Sequence, residues 1–147
     1  MEYKAWVVVA NNSRARIFGT NARGGKLTTL DELDHPEARL RDSEMRTDKP
    51  GRMYSMQGEF RSAAEHTPAR KHEAERFAHK LADHLDKNLY NQNFEKLVLV
   101  ASPGFLGTLR QKLSDRLRKA LASEMDKDLS HLDKAEEVRK RLPEYMW

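Results

Sequence analysis

The sequence Lys-Leu-Val-Leu-Val-Ala-Ser-Pro-Gly-Phe-Leu-Gly, residues 96–107, decides the fold class of this chain. Its first six residues, Lys96–Ala101, are almost continuously apolar, a pattern typical of a strand that is buried on both faces of a sheet. Ser102 is a favoured helix N-cap residue, and Pro103 suits the first helical position that follows it. A buried strand that runs directly into a helix predicts an α/β protein.

A second apolar stretch near the start of the chain predicts the other central strand. Ala5–Ala10 (Ala-Trp-Val-Val-Val-Ala) is again continuously apolar, and residues 11–13 (Asn-Asn-Ser) follow it with turn chemistry. Arg14–Thr20 resumes as a second strand, so the first two strands are predicted to form a hairpin. Residues 26–34 predict a third strand after a further turn.

The remainder of the chain predicts helices that alternate with short strands. Residues 71–91 carry apolar side chains at the spacing of an amphipathic helix, and a leucine stripe continues the helix that begins at Pro103. A short strand is predicted around residues 122–128, and residues 133–136 resemble a capping box that opens a last helix, which Pro143 ends. The predicted order is β-β-β-(long loop)-α-β-α-β-α. This order gives an α/β mixed sheet with helices on its faces, compatible with a ribonuclease-H-like fold.

Residues 39–70 interrupt these patterns. They contain no valine or isoleucine, a single leucine, and seven basic against five acidic residues. Such long structureless connections are uncommon inside compact domains and are usually functional or disordered, so we predict a long mobile basic loop here. Arginines interleaved with aromatic residues can hold phosphates and stack bases, whereas the alternative is a poorly ordered loop whose few apolar groups touch the core. The RNA-binding candidates in this segment are Arg46, Arg52 and Arg61.

The length of the chain favours a single domain, and its charge distribution favours an anionic partner. The 147 residues are near the usual size of a single domain, with 34% charged residues and a net charge of +4. The positive excess lies in residues 39–72, which carry +3, and in residues 102–147, which carry +2. A local basic excess attracts anionic partners. The alternative is that bases mixed with acids at similar density form only a solvated surface.

The residue types that are absent narrow the function classes. The chain has no cysteine, which excludes disulfides, thiolate metal sites and cysteine nucleophiles and fits a reducing compartment. Its first ten residues lack the basic and apolar regions of a signal peptide. No apolar run approaches the roughly 20 residues that span a bilayer. We therefore predict a cytoplasmic protein without a membrane partner.

No catalytic signature emerges from the motifs. His72 and His79 lie about 10.5 Å apart along the axis of the predicted helix, at 1.5 Å per residue, which is too far for both to bind one metal ion. The chain has no Gly-x-Ser-x-Gly elbow and no Walker-type phosphate loop. The first strand carries no carboxylate, which argues against a two-metal nuclease. We predict no catalytic residue, no metal and no cofactor.

One anion-binding candidate lies where residues 96–107 pass from strand to helix. The free amides near Ser102 and Gly104 and the helix dipole favour an anion there. Open α/β sheets bind ligands at such strand ends. Asn11 and Arg14 lie at the same edge if the hairpin turn faces that way, and the alternative is a plain capped helix.

Two sets of arginines complete the candidates. Arg14 and Arg16 face one side of the second strand, where they form either a cationic stripe for RNA or the charged surface of an edge strand. The helix that begins at Pro103 has a basic exposed side that includes Arg110 and Arg116. Both sets place positive charge on regular elements.

Four blocks of sequence resemble the bacterial host attachment protein family, and the likeness runs from about residue 4 to residue 142. They are Trp6-Val-Val-Val-Ala-Asn11-x-x-Arg14-Ala-Arg16-Ile-Phe18, Phe77-Ala-x-x-Leu81-Ala, Leu97-Val-Leu-Val-Ala-Ser-Pro103-x-Phe105-Leu-Gly107-x-Leu109-Arg110 and Lys127-Asp-Leu-Ser-His131-Leu. The Ser-Pro-x-Phe-Leu-Gly and Lys-Asp-Leu-Ser-His blocks are the more specific ones. The resemblance implies a fold similar to the middle domain of class-1 peptide release factors and Pelota, which is ribonuclease-H-like.

The resemblance also implies a function. The family name implies a requirement for attachment to host cells, and the release-factor likeness implies association with the ribosome. The Gly-Gly-Gln of peptidyl-tRNA hydrolysis is absent, and the nearest sequence is Met56-Gln57-Gly58. Our first hypothesis is therefore a non-enzymatic cytosolic factor that binds the ribosome or structured RNA through the basic loop. The second is a regulatory module that acts on attachment indirectly, with a protein partner or as a homodimer. The third is a hydrolase that uses Gln57 or a site that the sequence does not reveal.

Overall fold

The computed structural model describes residues 3–35 and 55–147, and for residues 55–70 it describes the backbone alone. The elements in chain order are β1 (Ala5–Ala10), β2 (Arg14–Thr20), β3 (Thr28–Asp34), α1 (Ser55–Tyr90), β4 (Lys96–Ala101), α2 (Pro103–Lys112), α3 (Asp115–Ala120), β5 (Leu121–Met125) and α4 (Ala135–Lys140). Helices and strands follow one another after β3 in an order close to the predicted one.

The strands form one sheet in the order β3-β2-β1-β4-β5. β1 lies at the centre, antiparallel to β2 and parallel to β4. β3 is antiparallel to β2, and β5 is parallel to β4, so β2 runs against its neighbours while the other described strands share one direction. This mixed sheet with helices on its faces confirms the predicted α/β fold class.

One face of the sheet is covered by α1, α2 and α3. Its buried side chains include Trp6, Val8, Ile17, Leu97 and Leu99 from the strands and Phe77, Leu81, Leu85, Phe105, Leu109 and Leu117 from the helices. Successive side chains of a strand point to opposite faces, so β1 and β4 each send half of their apolar residues to this layer. The helices bury their apolar stripes against it, which stabilises the sheet by about 25 cal/mol per Å² of apolar area removed from water.

The opposite face is covered by α4 and the segments on either side of it. Its buried side chains include Val7, Val9, Phe18, Val98 and Val100 from the strands and Leu129, Val138, Leu142 and Met146 from the covering segments. Because both faces of β1 and β4 are covered, neither strand alternates apolar with polar residues. This double covering explains the continuous apolar runs in the sequence.

Helix α1 begins at Ser55, whereas the sequence predicts that the first long helix begins at residue 71. The prediction followed the apolar stripe, whose first buried apolar residue in the described part is Ala74. Residues 55–70 contain three alanines, two glutamates and two arginines, which favour helix by intrinsic propensity, whereas Gly58 and Pro68 oppose it. Extending a helix that is already packed costs little. This half of the predicted loop is therefore helical, and residues 36–54 lie outside the described residues.

The single helix predicted to follow Pro103 is two helices. α2 ends before Leu113, and Ser114 then caps α3, where its hydroxyl accepts a hydrogen bond from the Leu117 amide at 3.2 Å. Leu109, Leu113 and Leu117 keep a spacing of four residues across the break, so the apolar pattern does not reveal it. The serine cap is the local signal that the pattern concealed.

The last two elements also differ from their predicted bounds. β5 ends at Met125, a little earlier than predicted. α4 has Lys134 at its N-cap position without a side-chain capping hydrogen bond, so the predicted capping box of residues 133–136 is not formed. Asp133 instead accepts a hydrogen bond from Arg16, an interaction that no local pattern predicts.

Candidate nucleic-acid interface

The carboxyl ends of β1, β3 and β4 meet at one edge of the sheet. The amide of Ser102, after β4, donates to the carbonyl of Ala10 at 3.3 Å. The amide of His35, after β3, donates to the carbonyl of Ser13 at 2.8 Å. The hairpin turn that contains Asn11 therefore lies beside the first turn of α2, which resolves the direction of the turn that the sequence left open.

Asn11 organises this edge through its side-chain amide. Its Oδ1 accepts hydrogen bonds from the amides of Ser13 at 2.9 Å and Arg14 at 3.0 Å, which closes the hairpin turn. Its Nδ2 donates to the Ser130 hydroxyl at 2.9 Å, and that hydroxyl donates to Asp128 at 2.5 Å. Both ends of the amide are engaged inside the protein. Asn11 thus joins β1 to the segment after β5, which gives it a structural role, and its predicted anion contact stays a prediction.

The first turn of α2 lies open at the same edge. Ser102 occupies the N-cap position, but its hydroxyl makes no capping hydrogen bond. Gly104 is exposed, and a Cβ atom placed on it would meet no atom within 4 Å apart from its chain neighbours and the backbone of its own helix. The side-chain cap that defined the alternative is therefore not formed. An anion site at Ser102 and Gly104 stays a prediction that this open geometry permits.

A buried histidine–glutamate pair at this edge escaped the sequence analysis. His35 Nε2 lies 2.8 Å from Glu73 Oε1, and the two side chains are only 8% and 4% exposed. The His35 ring stacks on Phe77 with centroids 5.6 Å apart, and Phe77 stacks on Phe105 of α2 at 5.7 Å. The pair connects the end of β3 to α1 and, through the stacked rings, to α2.

The sequence does contain a signal for the glutamate of this pair. Glu73 lies four residues before Phe77 and eight before Leu81, both of which are fully buried, so it occupies the apolar stripe of α1. An acidic side chain at such a position needs a polar partner. Nothing in the local pattern identifies His35, which lies across an undescribed stretch of chain, as that partner.

The two arginines of β2 have different surroundings. Arg16 is 7% exposed and donates to Asp133 Oδ1 at 2.8 Å and to the Leu132 carbonyl. Its Nε also lies 3.4 Å from Glu32 Oε2. Its place in an exposed cationic stripe is therefore wrong, because these groups enclose the guanidinium. Arg14 is half-buried, and its side chain has no hydrogen-bond or ion-pair partner in the described part of the chain.

The position of β2 also corrects the alternative for these arginines. β2 lies between β1 and β3, and the outer strands of the sheet are β3 and β5. Arg14 and Arg16 therefore do not protect a sheet edge. The buried guanidinium of Arg16 instead connects β2 to the segment that precedes α4.

The basic side of α2 and α3 is partly neutralised by acids from neighbouring elements. The Arg110 Nε lies 3.2 Å from Glu124 Oε2, and an Arg116 guanidinium nitrogen lies 3.3 Å from Asp86 Oδ2. Arg118 donates to two carbonyls at the end of α2, at 3.0 and 3.2 Å. Those carbonyls favour the cation but carry no full negative charge, so they do not neutralise the positive charge of Arg118.

The two lysines on this side complete the positive surface. Lys112 and Lys119 have no ion-pair partner among the side chains that the structure describes. The two helices α2 and α3 contain one acidic residue, Asp115. We call Lys112, Arg116, Arg118 and Lys119 the basic helical side, and its local balance is positive.

The candidates of the predicted basic loop fall in two places. Arg46 and Arg52 lie outside the described residues, whereas Arg61 and Gln57 lie in the part of α1 where only the backbone is described. Among the described side chains, no group of three or more histidines, cysteines, aspartates or glutamates is arranged to hold a metal ion. Within the same part of the chain, no helix combines the length and the apolar character needed to cross a bilayer.

The sequence matches a family model described as "Protein required for attachment to host cells" over residues 6–142. This span agrees with the resemblance that the sequence blocks indicated. No curated protein matches the chain.

Two solved archaeal structures are similar to this chain at low sequence identity. An archaeal translation termination factor, aRF1, is 15% identical, with a TM-score of 0.46 over 95% of this chain and 35% of that one. A second, described only as "Archaeal protein", is 14% identical, with a TM-score of 0.45 over 84% of this chain and 29% of that one. The chain thus spans about a third of the length of these structures.

Proposed function

This chain belongs to the family of proteins required for attachment to host cells, and we propose that it is a non-catalytic cytosolic factor that binds the ribosome or another structured RNA. The observation that carries this proposal is the charge of α2 and α3, which contain five basic residues and one acid. Lys112, Arg118 and Lys119 have no acidic partner among the described side chains. A surface of this kind attracts phosphates irrespective of base sequence.

The basic segment adds to this charge. Residues 39–70 contain seven basic and five acidic residues, and the backbone of residues 55–70 continues α1. The backbone at Arg61 therefore belongs to a regular helix. Proteins recognise structured RNA largely through its shape, phosphates and 2′-hydroxyls.

Co-sedimentation with ribosomes at low and moderate salt tests the proposal. We expect binding to weaken steeply as salt rises, because each neutralised phosphate releases counterions and adds about −0.7 to −0.9 to the slope of log affinity against log salt. The double variant Lys112→Ala/Lys119→Ala should weaken binding and reduce that slope by about 1 for each lysine that contacts a phosphate. An affinity that does not change with salt would contradict the proposal.

A matched variant controls for overall charge. Lys134 and Lys140 lie at or near α4, on the opposite face of the sheet, and both are exposed. Lys134→Ala/Lys140→Ala makes the same change in net charge and should leave ribosome binding nearly unchanged. An equal loss of binding in both double variants would mean that general charge, and not the basic helical side, governs association.

The basic segment is tested by neutralising it. Because residues 55–70 continue α1, deletion would shorten a helix, so Arg46→Ala/Arg52→Ala/Arg61→Ala is the better variant. We expect a further loss of ribosome affinity with unchanged thermal unfolding. If this variant binds ribosomes with full affinity, the segment is not part of the interface, and the basic helical side accounts for the binding.

The description of the family favours a second candidate, a regulatory protein-interaction module that affects attachment to host cells indirectly. Its signature differs from RNA binding. Partner proteins captured from a lysate would persist after nuclease treatment, and Lys112→Ala/Lys119→Ala would not release them. Purified ribosomes would then fail to bind the wild-type chain.

A further inference from the structure

Tyr90, the last residue of α1, is an exposed aromatic residue beside the basic helical side. It is 71% exposed, and among the described residues Tyr145, at 70%, is the other exposed large apolar side chain. The two tyrosines differ in their surroundings, because Tyr145 adjoins Met146, which is buried on the opposite face of the sheet. Tyr90 instead lies under an arginine of α3.

The guanidinium of Arg116 lies over the Tyr90 ring. Its Cζ is 5.3 Å from the ring centroid, within the range at which a cation is attracted to an aromatic face. The Arg116 side chain is itself 54% exposed. Two flat groups therefore lie together at the surface, and both keep much of their area in contact with water.

Asp86 and Ser114 hold the arginine in this position. One guanidinium nitrogen of Arg116 lies 3.4 and 3.3 Å from the two carboxylate oxygens of Asp86. Asp86 Oδ1 in turn accepts a hydrogen bond from the Ser114 hydroxyl at 2.9 Å. Ser114 is fixed because it caps α3 through the Leu117 amide. The guanidinium is thus oriented by contacts that lead back to a helix terminus.

Further positive charges lie one helical turn from each of the two flat groups. Lys87 precedes Tyr90 by three residues on α1, and Lys119 follows Arg116 by three residues on α3, spacings that make side chains neighbours on a helix surface. The negative groups nearest in the chain are Asp86, which is occupied by Arg116, and Asp115. An aromatic ring flanked by cations can bind a single strand of RNA, because the ring can stack on a nucleobase and the cations can bind the phosphates.

We propose that Tyr90 and Arg116 form a stacking site for an unpaired base of an RNA strand, with Lys87 and Lys119 placed to meet its phosphates. This inference rests on the RNA binding proposed above and specifies which part of the RNA the protein contacts. Every base offers a flat aromatic face to a tyrosine ring or an arginine plane, so such a site accepts unpaired bases without strict sequence preference. A fully paired duplex offers no free face for the same contact.

The competing explanation is that the pair only connects α1 to α3. A purely structural contact of this kind does not require the ring to remain 71% exposed. It also predicts that substitution of Tyr90 changes stability alone. The two explanations therefore differ in their effect on single-stranded RNA.

Equilibrium binding of a short unstructured RNA that carries 2-aminopurine tests the site, because stacking changes the fluorescence of that base. We expect Tyr90→Ala to weaken binding of this RNA about 5- to 150-fold, the loss measured when one stacked base loses its aromatic partner, and to abolish the fluorescence change. Tyr90→Phe keeps the ring and should bind within about twofold of wild type. Arg116→Lys keeps the charge but loses the flat group, so it should also weaken binding of this RNA.

Tyr145→Ala is the matched control, because it removes an equally exposed tyrosine from the opposite side of the protein, and it should leave binding unchanged. A duplex of the same length should bind wild type and Tyr90→Ala equally. If wild type binds the single strand but Tyr90→Ala binds it as tightly as Tyr145→Ala does, the stacking site is wrong and RNA binding stands. If wild type binds neither RNA nor ribosomes, both proposals fail.

Discussion

Polar residues have opposite roles in two regions of the molecule. One is the edge of the sheet where β1, β3 and β4 end, called here the edge, and the other is the basic helical side. At the edge, Asn11, Arg16 and His35 are engaged by groups inside the protein, and Arg16 and His35 are less than a tenth exposed. On the helical side, Lys112 and Lys119 have no ion-pair partner in the described part of the chain. Polar side chains therefore hold the fold together in one region, whereas in the other these two lysines are not bound by an acid.

This difference shows that a polar residue predicted to bind a ligand can instead be committed to the fold. A sequence pattern that marks an arginine or asparagine reports only that a polar group recurs at a strand or turn. Burial and internal partners then decide whether that group is committed to the fold. We expect substitutions of Asn11, Arg16 or His35 to change stability without changing RNA affinity, and substitutions of Lys112 or Lys119 to do the reverse.

The largest effect is expected from His35→Ala at the edge. It removes the 2.8 Å neighbour of the buried Glu73 carboxylate, which keeps Arg76 at 4.0 Å, and removal of one member of a buried pair destabilises by up to about 3–5 kcal/mol. Guanidinium unfolding measures the change as a shift in midpoint at constant slope. His79→Ala is the control, because His79 is 68% exposed on the same helix as Glu73, and it should change the free energy of unfolding by about 0.5 kcal/mol or less. Similar values for the two variants would show that the pair does not stabilise the edge.

An intermediate effect is expected from the two arginines of β2, which lie on the same face of one strand. Arg16→Met removes the hydrogen bonds to Asp133 and Leu132 and should lower the free energy of unfolding by about 1–3 kcal/mol, since charge-assisted hydrogen bonds are lost. Arg14→Met should change it by about 0.5 kcal/mol or less. Thermal and chemical unfolding of the two variants compare them directly. A loss in Arg14→Met as large as that in Arg16→Met would remove the distinction between buried and half-buried positions.

A small effect on stability is expected at the ion pair of Arg110 and Glu124. This pair is partly exposed, with Arg110 at 49%, and such pairs contribute about 1 kcal/mol or less. Arg110→Ala and Glu124→Ala should therefore unfold within about 1 kcal/mol of wild type. Their RNA affinities should move in opposite directions, because one variant removes a base and the other an acid from beside the basic helical side. A parallel change in affinity would argue against an electrostatic role for this side.

The strands of this fold were predictable because burial on both faces leaves a mark in the sequence. Ala5–Ala10 and Lys96–Ala101 are apolar throughout, and the structure places them side by side at the centre of the sheet. The start of α1 was not predictable from its apolar stripe, because residues 55–70 are helical without continuing that stripe. The spacing of apolar residues indicates only the part of a helix that packs against the core, and it does not show how far the helix extends beyond that part.

The site was less predictable than the fold. The pairing of His35 with Glu73 and that of Arg16 with Asp133 join residues far apart in the chain, so only the tertiary fold brings them together. The basic side of α2 and α3 was predictable, because charges on one helix face are visible in the local spacing. Tyr90 was not singled out, because its closeness to Arg116 depends on how α1 and α3 pack.

The central pairing of the sheet has a consequence for the order in which the chain folds. Ala5 of β1 pairs with Lys96 of β4, ninety-one positions later, whereas β1, β2 and β3 follow one another closely enough to pair early. During synthesis, β1 has a partner on one side only until β4 has emerged, and contacts so distant in sequence form slowly. For that interval an apolar strand presents unpaired backbone groups, the kind of edge that associates with other chains. The nascent protein is therefore most exposed to aggregation before residue 101 is made, and helix α1, which is made in that interval, is the element placed to cover the sheet.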